Sequence, residues 1–133
     1  LAQEGTHATA GDYAAAVLTL HQGSRQMAAF FQDYDLILSS TLRHPPLPLG
    51  AIDMQDSDLE HYWHALFEDE IAITPFYNNT GCPAMTVPLH WSADGLPVGV
   101  HFGAAFGDEA TLFRLASQLE VAKPWFDKVP DLG

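Results

Sequence analysis

Apolar and polar positions along this chain fall into a few regular patterns. Tyr13, Val17, Leu20, Ser24, Met27 and Phe31 recur at alternating steps of four and three. That spacing gathers them on one face of a helix. Asp12, after Gly11, supplies an N-cap. The helix is expected to end near Asp33-Tyr34, with the small and polar residues 1–11 lying loose ahead of it. Asp35-Leu36-Ile37-Leu38-Ser39-Ser40-Thr41 is a short apolar run closing in polar residues, and it reads as a buried strand. Pro45, Pro46 and Pro48 then exclude both helix and sheet interior, so residues 44–50 form an extended loop.

An acidic stretch over residues 53–60 leads into a second helix, expected over residues 59–73 and capped by Ser57 or Asp58. Pro75, or the residues just before it, is expected to stop that helix. Tyr77-Asn78-Asn79-Thr80-Gly81 reads as turn chemistry. Ala84-Met85-Thr86-Val87-Pro88-Leu89-His90 and Pro97-Val98-Gly99-Val100-His101-Phe102-Gly103 are strand-like, and Asp94-Gly95 between them is a hairpin signal. Pro88 within the first run places it at a sheet edge or beside a bulge. Gly107-Asp108-Glu109 opens a last helix with Leu112, Leu115, Ala116 and Leu119 as its buried stripe. Pro124 ends it, and Trp125-Phe126 is expected to fold back onto the body. The order is helix, strand, loop, helix, hairpin, helix, which implies an α/β layered architecture.

Composition supports a folded segment. Of 133 residues, 47% are hydrophobic and 17% charged, which is a globular balance. The net charge of −12, from 17 acids against 5 Lys and Arg, makes nucleic acid or an anionic membrane surface a poor partner. No apolar run approaches the ~20 residues of a membrane span. The single cysteine, Cys82, can form no internal disulfide, which fits a reducing, cytoplasmic location. The start at Leu1-Ala2-Gln3-Glu4-Gly5 has no signal-peptide pattern and reads as a cut from inside a longer polypeptide.

Several residues invite sharper chemistry and are better explained without it. His61, His64 and Glu68 fall near one helix face, as a metal could use, but the HExxH spacing is missing and a solvated face suffices. Asp53, Asp56, Asp58 and Glu60 lack the central glycine of an EF-hand loop and suit a helix N-terminus instead. Cys82 precedes Pro83 at a strand start, where a packing role outweighs that of a nucleophile. Gly95, Gly99, Gly103 and Gly107 span a turn, a strand and a helix entrance, so they serve backbone geometry and not a phosphate. Neither a metal nor another cofactor is expected.

Asn78-Asn79-Thr80-Gly81-Cys82-Pro83-Ala84-Met85-Thr86-Val87-Pro88 resembles a recurrent segment of the amidase-signature family, roughly Asn-x-Thr/Ala-Gly-x-Pro-Ala-x-Ser/Thr-x-Pro. Asp94-Gly95-Leu96-Pro97-Val98-Gly99-Val100-His101-Phe102 looks like the family's Gly-Leu-Pro-x-Gly-x-Gln-hydrophobic strand. Gly107-Asp108-Glu109-Ala110-Thr111-Leu112, with Ala116, Leu119 and Glu120, resembles its final helix. Upstream, Phe30-Phe31, Tyr34-Asp35-Leu36-Ile37-Leu38 and the Pro45-Pro46 loop fit the same pattern. The resemblance runs from about Tyr13 to Trp125, and its tone is similar to the branch containing 6-aminohexanoate cyclic-dimer hydrolases. His101 stands where Gln is common and Cys82 where the family varies, which leaves the substrate open.

The resemblance implies the C-terminal portion of a large α/β/α hydrolase with a mixed central sheet, residues 1–133 forming one segment of it. It implies cleavage of an amide C–N bond by a nucleophilic serine, assisted by a second serine joined through a cis peptide and by a lysine. Those residues belong to a Gly/Ser-rich stretch and a lysine far upstream. Here the only serine pair is Ser39-Ser40, and Lys123 and Lys128 lie at the C-terminal end, so no catalytic residue is transferred. Thr74, Phe76 and Asn78 are the candidate pocket-lining residues, against a purely local turn role for Asn78. The expected function is structural and pocket-forming within a parent that takes a small-molecule amide. The alternative is a stand-alone, non-enzymatic interaction module derived from that fold. In either case uncovered strand edges are expected to make the chain self-associate.

Overall fold

A computed structural model describes residues 4–71 and 73–130 of the chain. Three strands carry the architecture: β1 (Leu36–Ser40), β2 (Ala84–Trp91) and β3 (Pro97–Ala104). They form one antiparallel sheet in the order β1-β3-β2. The described residues also form four α-helices: α1 (Ala10–Phe30), α2 (Leu59–Trp63), α3 (Thr74–Thr80) and α4 (Glu109–Ala122). The α/β class is as the sequence implies. Of the mixed sheet that the resemblance implies, these strands contribute antiparallel pairing only.

Side-chain alternation along β3 explains the layering. Phe102 and Ala104 point to one face and join Val87 and Leu112 in a buried cluster, with Leu115, Leu119 and Trp125 packed against it. This is the face that α4 covers, through the stripe expected from its spacing. His101 and Gly103 point the other way. There Tyr77 of α3, Met27 of α1 and Cys82 form a second cluster with Phe31, Ile37, Ile73 and Phe76. The sheet is therefore sandwiched, with α4 on one face and α3 and α1 on the other.

Local chemistry accounts for the element ends. Asp108 caps α4 by accepting from the Thr111 backbone N–H at 3.2 Å and its hydroxyl at 2.6 Å. The β2–β3 hairpin closes on Ser92: its N–H donates to the Leu96 carbonyl at 2.8 Å, and its carbonyl accepts from the Gly95 N–H at 3.0 Å. Pro88 meets both sequence expectations at once, since β2 is an edge strand and its register slips between Pro88 and His90.

Several expectations are corrected. The first helix starts at Ala10, with Thr9 as N-cap; Asp12, at the third helical position, completes a capping box by accepting from the Thr9 N–H at 2.8 Å. The residues before it are not uniformly loose, because Glu4–His7 forms a turn of 3-10 helix, while residues 1–3 lie outside the described part. Along α1 the expected face is right in phase, but Tyr13 is 74% exposed and only Met27 is buried. β1 is an edge strand and not a buried one, with Leu38 67% exposed.

The second helix is also different. α2 runs five residues from its Asp58 cap and continues as a π-helix, His64–Glu70, and Ile71 then bridges to Leu42. Pro75 does not stop a helix. It sits in the first turn of a new one, α3, where its missing N–H costs no helical bond. The expected turn at residues 77–81 is the end of α3, closed by Gly81 in the left-handed conformation at φ 71°. Of the last aromatic pair Trp125 packs back, whereas Phe126 is 90% exposed.

Candidate functional site

The face of the sheet beneath α3 carries a seam of polar side chains. β1 and β3 pair Ser39 opposite His101, and β2 sets Thr86 on the far side of the same histidine. The His101 ring is buried, with Nδ1 3.2 Å from the Ser39 hydroxyl. Tyr77 of α3 meets that ring edge-to-face at 4.9 Å. Gly103 is what lets the phenol lie there, since a Cβ at that position would run into the Tyr77 ring. One step along the sheet, Thr41 and Thr86 bring their hydroxyls to 3.2 Å across Gly99, where a Cβ would again collide with both.

Electrostatics follow from burial. Loss of water around His101 pushes its pKa below the ordinary histidine value, so the imidazole is neutral near pH 7. Burial, and then the nearby Cys82, pushes the Tyr77 phenol up. The Tyr77 hydroxyl is buried with no hydrogen-bond partner among the described residues. A serine beside a neutral imidazole has the elements of a nucleophile and its base. Here the histidine is enclosed, and its contacts with Ser39 of β1 and Tyr77 of α3 join the sheet to the helix layer.

Two clefts flank this seam. One, of about 310 Å³, opens where β1 and its following loop diverge from the start of β3, between Thr41, Arg43, Pro45, Pro97 and Gly99. The other, of about 470 Å³, lies between α1, the end of α3 and the turn from β3 to α4. Arg25, Ala28, Phe31, Thr80, Cys82 and Phe106 line it.

The sequence-expected residues are distributed unevenly over this arrangement. Thr74, Phe76 and Asn78 all lie on α3, and helical geometry puts Thr74 and Asn78 one turn apart on a shared face. Phe76 packs on the inner cluster, Asn78 is exposed, and none of the three lines the two clefts. His61 pairs with Asp56 at 2.7 Å, which raises the imidazole pKa and lowers that of the carboxyl. The side chain of Glu68 lies outside the described part. Among the described residues no three potential ligands gather to hold a metal ion. Asp53 and Asp56 accept from backbone N–H groups two residues on, and Asp58 caps α2. Cys82 is buried beside Tyr77. The Ser39–His101–Tyr77 seam was not foreseeable from spacing, because it depends on the register of β1 against β3.

Helices on both faces of a sheet, with open clefts at its ends, define an α/β segment of a larger layered fold. The sequence profile described as Amidase matches residues 2–113. The chain belongs to the amidase family. It is 40% identical over 110 residues to a putative amidase AmiC of Mycobacterium leprae, covering 83% of this chain and 23% of that protein. It is 34% identical over 103 residues to the 6-aminohexanoate-cyclic-dimer hydrolase of a Pseudomonas species, covering 74% of this chain and 21% of that one. The solved structure of a 6-aminohexanoate cyclic dimer hydrolase superposes with a TM-score of 0.83 at 28% identity, over 92% of this chain and 26% of that one. The chain thus spans about a quarter of the length of the relatives it matches. No helix of the described residues is long and apolar enough to cross a membrane.

Proposed function

We propose that this chain is the C-terminal structural and pocket-wall portion of a serine-dependent amidase that hydrolyses C–N amide bonds of a small molecule. The observation that carries the reading is the family match over residues 2–113 combined with coverage of only about a quarter of each relative. The chain's own residues support a scaffold role. Ser39 and Ser40 are committed to strand β1, with Ser39 tied to His101, and Lys123 and Lys128 sit at the end of α4 and beyond it. The nucleophilic serine, its serine partner and the lysine therefore belong to residues outside this chain, and the chain by itself is inactive. Relatives described as cyclic-dimer hydrolases and as an acylamidase make linear and cyclic amides the substrates to try first.

Thr74, Phe76 and Asn78 remain the proposed pocket-lining residues. Asn78 is the strongest of them, because its side chain is exposed on α3 while Phe76 is held by the inner cluster. The test is to express the chain together with its upstream coding sequence and assay release of amine from 6-aminohexanoate cyclic dimer and from simple acylamides. Hydrolysis that disappears when the upstream serine is replaced by Ala is the expected result. Replacing Asn78 by Ala should then raise KM with little change in kcat. An upstream sequence without a Gly/Ser-rich stretch and lysine would defeat the reading.

A second reading, a non-enzymatic interaction module, draws on the uncovered edge of β1 and the exposed length of α1. A start codon immediately before Leu1 would favour it.

A further inference from the structure

We propose that His101 is a positioning residue for α3: with Gly103 it seats the Tyr77 ring on the sheet, and that seat fixes Asn78, the next residue of the helix, in the pocket wall. The unit is closed by this chain alone, with His101 3% and Tyr77 5% exposed. The Tyr77 ring meets the imidazole edge-to-face at 4.9 Å and fills the space that a Cβ on Gly103 would take. Its hydroxyl is buried with no hydrogen-bond partner among the described residues, so ring contact and shape hold the side chain in place of a polar bond. Among the residues of α3 only Tyr77 is buried, and its carbonyl accepts from the Gly81 N–H at 2.9 Å, which closes the helix. A helix of two turns with one buried anchor takes its orientation from that anchor.

Strand pairing fixes the imidazole in turn. Ser39 on β1 and Thr86 on β2 are its register partners, and Nδ1 lies 3.2 Å from the Ser39 hydroxyl, a contact that rotation of the ring would lose. Cys82 shares the Tyr77 cluster, and among the described residues no acid or base side chain bonds the imidazole. Burial keeps the ring below the ordinary histidine pKa, so the seated helix favours the neutral form, and opening of α3 gives the ring access to a proton. A side chain displaced by about an ångström from its working position weakens what it binds or orients. Asn78 directly follows the anchor and moves with it. The role of Asn78 rests on the pocket reading above; the seating of α3 does not.

The test has two arms. In the parent enzyme, made with its upstream coding sequence, His101→Ala should raise KM for 6-aminohexanoate cyclic dimer about threefold or more and leave kcat within about twofold. His101→Gln, which keeps a polar side chain opposite Ser39, should recover most of that loss. In an Asn78→Ala background the same His101→Ala change should move KM by less than about twofold, because both act on one contact. A fall in kcat with KM unchanged, or effects on KM that multiply, would overturn the role. Hydrogen exchange of the wild-type 133-residue chain tests the seat without turnover. Lowering the pH from 7.5 to 5.5, with intrinsic exchange corrected for, should cut protection of the Gly81 N–H by about three- to tenfold, and His101→Gln should abolish that loss. Unchanged protection in wild type, or the same loss in His101→Gln, would overturn it. A parent that hydrolyses no amide would end the pocket reading and leave the exchange result standing, so the two fail separately.

Discussion

His101 and Gly103 hold the α3 layer on the sheet by opposite means, one through a polar contact and one through the absence of a side chain. His101 is buried against Ser39 and Tyr77, with Thr86 opposite it, and no carboxylate is among its hydrogen-bond or ring contacts. Its folded pKa is depressed, so the unfolded chain takes up the proton more readily. Its contribution to stability is fully present above the unfolded value of about 6.5 and is lost as pH falls below it, by at most about 1.4 kcal/mol per pH unit for one proton. His61 works in the opposite sense, its pKa raised by Asp56, but it is fully exposed and solvent screens the pair. Urea unfolding at pH 7.5 and 5.5 should therefore show an acid-sensitive term that His101→Gln removes. An unchanged pH profile in that variant would place the sensitivity elsewhere. Gly103→Ala should destabilise the chain by about 1–3 kcal/mol, because the new methyl displaces the Tyr77 ring.

At the scale of elements, the hairpin and α4 were readable because each is specified by neighbouring residues. Asp94-Gly95 fixes the turn, and Asp108 with Leu112, Leu115 and Leu119 fixes both the start and the buried face of the helix. Asp108→Ala should cost about 1 kcal/mol in urea unfolding, the usual worth of an N-cap. A cost close to zero would mean that the sheet alone holds α4. The second helix departs from its sequence pattern because Pro75 has two local meanings, helix stop and first-turn residue, and the pairing of Ile71 with Leu42 decides between them. β1 departs from it for a different reason. An apolar pentapeptide specifies a strand, but whether both of its sides are covered depends on which chains lie beside it. The candidate site was the least legible part. Its seam joins residues 62 apart in the chain, Ser39 and His101, and its register is set by pairing and not by either sequence alone.

At the scale of the whole molecule, the chain exposes surface that a complete fold would cover. Leu38 on the edge of β1 and Tyr13, Leu18 and Leu20 along α1 are exposed apolar groups on elements with one uncovered side. β2 is guarded by Pro88 and a bulge, whereas the LILSS sequence of β1 has no charge or proline to discourage pairing. The 133-residue chain should therefore sediment as a dimer or larger species. Leu38→Lys should shift it toward monomer, and a clean monomer in wild type would contradict the expectation. The most direct measurement for the division between scaffold and chemistry is an assay of the purified 133-residue chain against 6-aminohexanoate cyclic dimer and simple acylamides. The result expected is amine release no faster than in buffer. Turnover that scales with the concentration of this chain would contradict it, since the reacting serine would then lie within these residues.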